Sequence, residues 1–228
     1  MYDINIFIKV KELNKIIISP SILSADFSDF GSAVSQIDAS GAGWVHMDVM
    51  DGSFVPNITF GHHLVRALRG RTKSIIDVHL MVVQPGRFIK KFADCGADII
   101  TFHYESEVHS QKFLTEIRDL GIKAGIAIAP STPYMVLEDI LPYIDLALIM
   151  TVNPGFGGQA LIPECLKKVE KLKEIREKAG LNFRISVDGG INEQTAEQAK
   201  KAGADTLVIG SAFFSHQDKK SLISKLQN

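Results

Sequence analysis

EQTAEQAKKAGADTLVIG, residues 193–210, holds the repeating unit of this chain in eighteen residues. Residues 193–202 read as a helix, Gly203-Ala204-Asp205 ends it, and 205–210 is a short strand rich in β-branched side chains. A glycine just past a helix end adopts the left-handed cap without the clash a Cβ would bring. The same joint recurs at Gly96-Ala97-Asp98 and at Gly121-Ile122-Lys123. Working outward, the pattern predicts strands at 16–21, 44–49, 75–81, 98–103, 123–128, 145–151, 183–188 and 205–210. Helices are predicted near 28–40, 60–69, 85–94, 110–119, 134–141, 163–179, 193–202 and 218–226. Eight strand–helix units without a Pro- or Ser-rich linker predict one closed parallel barrel, the α/β (β/α)8 or TIM barrel, over residues 16–228. Residues 1–15 stand apart as an N-terminal extension with no assigned role. A doubly wound open sheet is the alternative, but it opens on a glycine fingerprint where this first strand ends in Ser-Pro-Ser.

Composition narrows the partners. With 228 residues, 46% of them hydrophobic, the chain can fill a sizeable core. A formal net charge of -1 gives no electrostatic case for nucleic acid or acidic membranes. Apolar runs such as 144–152 are too short to span a bilayer. Cys95 and Cys165 lack CxxC spacing and read as core or helix residues in a reducing compartment. Residues 1–16 carry Asp3, Glu12 and three lysines but no long apolar stretch, which argues against a signal or transit peptide. A cytoplasmic location is the expectation.

In a barrel, chemistry sits where strands end and enter the following loops. VHMDVMDGSFVPNITFG, residues 45–61, therefore carries weight. Alternate strand residues share a face, so His46, Asp48 and Met50 point one way and Val45, Met47 and Val49 the other. His-x-Asp alone fits a structural hydrogen-bonded pair as well as two metal ligands. DVHLMV, residues 77–82, adds His79 at the same depth on the neighbouring strand, with Met81 one step above. Asp77 shares that parity but lies lower, where it would satisfy polar groups of the barrel interior. Asp188 ends the seventh strand in SVDGGIN, residues 186–192, three steps around the ring from the second. Two imidazoles and two carboxylates make a four-ligand set for one divalent transition metal, without choosing among zinc, iron, manganese and cobalt.

Opposed carboxylates on one cation suit proton abstraction beside a ketone. One removes the proton from one face, the other returns a proton to the opposite face, and the carbon is inverted. Paired carboxylates also serve glycoside hydrolysis, but that reaction needs neither the histidines nor a phosphate site. Such a site is suggested by NPGFGGQ (153–159), Asp188-Gly189-Gly190 and Gly210-Ser211, three glycine-containing strand ends on one rim. Backbone amides exposed in loops of this kind bind phosphate. Met50, Met81 and Met150 each fall at a strand end, either as ordinary core filling or as an apolar lid over the reacting carbon.

Together these segments resemble the ribulose-phosphate 3-epimerase family over about Ile16 to Phe214, through SPSILSADF, HMDVMDGSFVPNITFG, DVHLMV, VNPGFGGQ, VDGGIN and GSA in order. The resemblance implies metal binding by His46, Asp48, His79 and Asp188, with Asp48 and Asp188 as the acid–base pair. It implies substrate contacts from Ser21 and His79, and a phosphate surrounded by Gly155, Phe156, Gly157, Gly158, Gly189, Gly190, Gly210 and Ser211. The implied reaction is reversible epimerisation at C3 of D-ribulose 5-phosphate to D-xylulose 5-phosphate through a 2,3-enediolate, in a homo-oligomer. IAPSTP (128–133) departs from the family, placing Ala129 where relatives often carry Asn-Pro, which would loosen one contact at the mouth.

Rival readings are an epimerase of allulose 6-phosphate, whose relatives tend to lose the second glycine of VDGG, and a non-catalytic phosphate-binding barrel. Decarboxylases and aldolases of sugar phosphates carry Asp-x-Lys on an early strand, and no lysine occurs between residues 16 and 72. His62, His63, His109 and His216 read as solvated and His103 as a structural hydrogen-bonding residue. The lysine-rich run 167–178, with interleaved glutamates, reads as a solvated helix face.

Overall fold

A computed structural model describes residues 15–228 of the chain; the predicted extension, save Lys15, lies outside them. The 193–210 unit forms as its sequence dictates. Asn192 accepts hydrogen bonds from the backbone N–H groups of Gln194 and Thr195, and the Thr195 hydroxyl accepts in return from the Asn192 N–H. Ala196, Ala199 and Ala202 bury the inner face of the helix Glu193–Ala202. Gly203, at φ +112°, then turns the chain into the strand Thr206–Ile209.

The strands are β1 (Ile17–Pro20), β2 (Trp44–Met50), β3 (Ile75–Met81), β4 (Ile99–His103), β5 (Lys123–Ile128), β6 (Leu146–Met150), β7 (Arg184–Asp188) and β8 (Thr206–Ile209). Every ladder is parallel, in the order β1-β8-β7-β6-β5-β4-β3-β2. Between β1 and β2 the ring closes through two isolated parallel bridges, Ile18 with Gly43 and Ser21 with His46. The predicted (β/α)8 barrel is therefore the fold.

Its outer layer comprises α1 (Phe30–Ser40), α2 (His62–Arg69), α3 (Ile89–Ala93), α4 (Ser110–Asp119), α5 (Leu166–Ala179), α6 (Glu193–Ala202), α7 (Ser211–Ser215) and α8 (Lys219–Gln227). Three predicted helices differ in kind. Residues 85–94 split into a 3-10 turn, Pro85–Arg87, and α3. A 3-10 turn, Pro163–Cys165, precedes α5. The segment predicted at 134–141 is a 3-10 helix, Tyr134–Tyr143, with Pro142 inside it, where a missing N–H and the ring exclude α-helical bonding. The short α7 directly after β8 has no counterpart in the predicted elements.

Strand parity sorts the interior. Val45, Met47 and Val49 face outward into the main core under the helices, each at most 5% exposed. Burial on that scale is worth roughly 1.5–3 kcal/mol per large aliphatic side chain. Leu146, Leu148, Met150 and Val208 form a second cluster with Ala127 and Val152, against which Trp44 packs. Inward-pointing His46, Asp48 and His79 are buried as well. Cys95 and Cys165 are free and buried. Among the described residues no helix is long and apolar enough to cross a membrane.

Candidate active site

The pairing of β2 with β3 sets Asp48 directly beside His79, and β7 delivers Asp188 as its last residue. One ligand atom from each of His46, Asp48, His79 and Asp188 lies within 4.8 Å of all the others. His46 Nε2 is 3.2 Å from Asp48 Oδ1 and 3.8 Å from Asp188 Oδ2. His79 Nδ1 is 3.0 Å from Asp48 Oδ1 and 3.7 Å from Asp188 Oδ2. Tetrahedral ligands about 2.0–2.1 Å from zinc are separated by about 3.3 Å, so these spacings suit a small divalent cation at the centre. His46 Nε2 supplies a second sign: it is buried and aimed at the cluster, yet makes no hydrogen bond to protein. The donor set fits a metal on geometry and on chemistry.

Surrounding groups orient each ligand. Asp77, read from sequence as an interior polar residue, accepts a hydrogen bond from His46 Nδ1 at 2.8 Å and so turns Nε2 toward the cluster. Ser21 donates from Oγ to Asp48 Oδ2 at 2.5 Å, leaving Oδ1 to face the imidazoles. The two aspartates are driven apart in proton affinity. Burial raises Asp48, but the charges of His46 and His79 and the hydrogen bond from His79 Nδ1 outweigh it and hold the carboxyl well below the usual range. Burial also raises Asp188, and the neighbouring Asp48 charge adds to it, so this carboxyl sits at about 7. Burial pushes His46 down, yet Asp48 and Asp77 carry it well above its ordinary value. For His79 burial prevails and lowers it.

A pocket of about 570 Å³ opens over Asp48 and Asp188. Met50, Met81 and Met150 are in its wall, each at most 3% exposed. Ser21, Gly155, Phe156, Gly157, Gly158, Gly189, Gly190, Gly210 and Ser211 also line it, so the three glycine-rich strand ends converge on one cavity. His46 and His79 are fully buried and lie behind the pocket wall. Gly190 has φ +68°, and a Cβ there would stand 2.3 Å from the backbone nitrogen of Leu161. Loop and strand end can meet only because that position carries no side chain. Asn57 ties the loop to the β2 side through a 3.1 Å hydrogen bond from Nδ2 to the Gly155 carbonyl.

Some lining residues go beyond those predicted. Ser24 stands between two glycines, its Oγ 3.4 Å from where a Gly157 Cβ would be and 2.6 Å from that of Gly210. Its signal is its position, three residues past Ser21 in the loop leaving β1. Gln194, Gln198 and Ser215 reach the pocket from α6 and α7, and helix positions give no such hint. His62, His63, His109 and His216 do not line it. His103 is fully buried and hydrogen-bonded, as predicted. Its partner Glu105, missed in sequence, repeats at the end of β4 the His-x-acid spacing of His46 and Asp48. Burial lowers His103 to about 4; burial pushes Glu105 up, but hydrogen bonds from His103, Thr132 and Ala129 bring it down to about 2. Lys168 departs from the solvated face predicted for 167–178 and donates to the carbonyls of Ala129, Pro130 and Thr132 at 2.9, 2.8 and 2.7 Å.

The sequence is 52% identical over 198 residues to ribulose-phosphate 3-epimerase of Treponema pallidum, covering 87% of this chain and 91% of that one. It is 48% identical over 215 residues to ribulose-phosphate 3-epimerase of Synechocystis, covering 93% and 94%. With the Bacillus subtilis enzyme of the same name, identity is 44% over 211 residues, covering 92% and 97%. Among solved structures the fold is similar to the tryptophan synthase α-subunit of Pyrococcus furiosus, with a TM-score of 0.67 at 17% identity over 93% of this chain and 96% of that one. KGPDC of Streptococcus mutans gives 0.68 at 17% identity, covering 93% and 95%. Both likenesses concern the barrel alone. The model of the ribulose-phosphate 3 epimerase family matches residues 17–214. Nearly the whole barrel falls within that match, and the chain belongs to this family of epimerases, which are isomerases.

Proposed function

We propose that the chain interconverts D-ribulose 5-phosphate and D-xylulose 5-phosphate by inverting carbon 3 through a 2,3-enediolate, with Asp48 and Asp188 as the proton-transferring pair. The observation that carries this reading is the meeting of two carboxylates from β2 and β7 at one point under the pocket, with opposite pulls on their protons. Environments that separate two carboxyl affinities mark one group to take a proton and one to give it. The carboxylate facing one side of carbon 3 breaks the C–H bond and takes up the proton. The other delivers its own proton to the opposite face, and the roles reverse in the return direction. His46 Nε2, His79 Nδ1 and the two carboxylates would hold one divalent metal, which when bound supplies Lewis-acid stabilisation of the enediolate oxygens.

The remaining roles follow from position. Backbone amides of 155–158, 189–190 and 210–211 are suited to a phosphate dianion, and Ser21 keeps Asp48 aimed. Met50, Met81 and Met150 would keep water from the reacting carbon, since a thioether neither donates nor readily accepts a proton. Incubation of metal-loaded protein with D-ribulose 5-phosphate in heavy water tests the reading. NMR should show D-xylulose 5-phosphate with deuterium at carbon 3, and Asp188→Asn should abolish both product and label. Turnover without label, or turnover undiminished by the substitution, would refute the two-aspartate route.

A further inference from the structure

A buried chain of ring nitrogens leads away from the metal ligands. His79 Nε2 lies 2.9 Å from His103 Nε2, and His103 Nδ1 lies 3.1 Å from Glu105 Oε2. Glu105 Oε1 accepts from the Ala129 N–H at 2.7 Å and from the Thr132 hydroxyl. The two rings lie 5.0 Å apart with 29° between their planes, and Phe54 covers His103 at 4.7 Å. Both histidines are fully buried, so neither can turn to solvent for another partner.

One arrangement of hydrogens satisfies this chain when His79 Nδ1 binds a cation. A carboxylate only accepts, so His103 must offer its N–H to Glu105 from Nδ1. A neutral His103 then presents Nε2 as an acceptor, and the 2.9 Å contact requires the hydrogen of His79 to sit on Nε2. That leaves the lone pair of His79 Nδ1 for the cation, which would take the place of the 3.0 Å hydrogen bond that Nδ1 otherwise makes to Asp48 Oδ1. Reversing the chain would place a hydrogen on Nδ1 and remove His79 from the ligand set. His46 receives the same service from Asp77 alone; for His79 the carboxylate is one imidazole further out.

We propose that His103 and Glu105 are positioning residues that hold the hydrogen of His79 on Nε2 once a cation occupies Nδ1, and thereby strengthen its capacity to bind metal. The inference rests on the reading of His79 as a ligand, and the experiment separates the two. In the zinc-loaded protein, ring nitrogen shifts of labelled histidine should show His79 protonated on Nε2 and His103 on Nδ1. Zinc affinity, measured by competition with a chelator, should fall 10–100-fold in His103→Phe, as is typical for loss of an outer partner of a ligand. His103→Gln, whose amide oxygen can accept from His79 Nε2, should recover most of that loss, whereas a merely space-filling role would favour Phe. Glu105→Gln should leave His103 as a mixture of tautomers in the same spectrum. If His79→Ala binds zinc as tightly as the native chain, the ligand reading itself fails. If His79→Ala loses zinc while His103→Phe keeps it, or the zinc-loaded native spectrum shows His103 protonated on Nε2, the positioning role is overturned.

Discussion

Asp188, the proposed acid–base partner of Asp48, works against the fold. Its carboxyl sits at about 7 in the folded chain, above the ordinary 3.8, so folding favours its protonated form. The stability tied to that proton is present below about pH 4 and is lost as pH rises through about 7. In metal-free protein, Asp188→Asn removes a group that above pH 7 costs up to about 4 kcal/mol. Calorimetry should show the variant melting several degrees higher than the native chain at pH 8, with the gain shrinking to nothing near pH 4. A gain that does not change with pH would contradict this account of the carboxyl. The residues on strands were legible in the sequence because period-two parity fixes where they point: His46, Asp48, His79 and Asp188 needed only strand ends. Glu105 escaped because it stands two residues beyond β4, where parity no longer guarantees direction. Asp77 was placed by depth, but its partner His46 depended on the stagger between β2 and β3, which only the closed ring defines.

At the scale of elements, α5 shows how a helix can be read too coarsely. Interleaved Lys and Glu suggest a solvated face, and most of the helix obeys. Yet Lys168 lies three residues after the buried Cys165 and four before the buried Leu172, on the inward stripe. Its ammonium therefore meets protein, and it grips three carbonyls of the loop after β5. Burial accordingly lowers its proton affinity from the ordinary lysine value. Lys168→Met keeps most of the stem and leaves those carbonyls without their cation, so urea denaturation should register a loss of about 2 kcal/mol. Hydrogen exchange at Ala129 and Thr132 should quicken in the variant; unchanged exchange would mean that Glu105 alone holds the loop. The looseness that Ala129 suggests is thus countered by a lysine from the next unit. Helix phase was the available signal here, whereas the 3-10 character of Tyr134–Tyr143 was signalled by Pro142.

For the whole molecule, eight repeats of strand and helix, three of them joined by the same glycine turn, made the barrel legible, because closing the ring leaves no parallel strand with an unpaired edge. How tightly the ring closes was not legible, since no local pattern states how the first strand meets the second. The structure gives that seam two bridges and one side-chain hydrogen bond, Ser21 to Asp48. Seven parallel ladders join the other neighbours. Amides along β1 and the start of β2 should therefore exchange fastest among the strands in metal-free protein, and mass spectrometry should show them slowed by added zinc. Equal protection around the ring, with and without the ion, would contradict this. The proposed ligands lie on β2 and β3 to one side of the seam and on β7 to the other, so a bound ion would span the gap like a rivet through a split hoop. A chain starved of metal would then keep its barrel but open more readily along that one line, so that loss of activity and loss of local stability would arrive together.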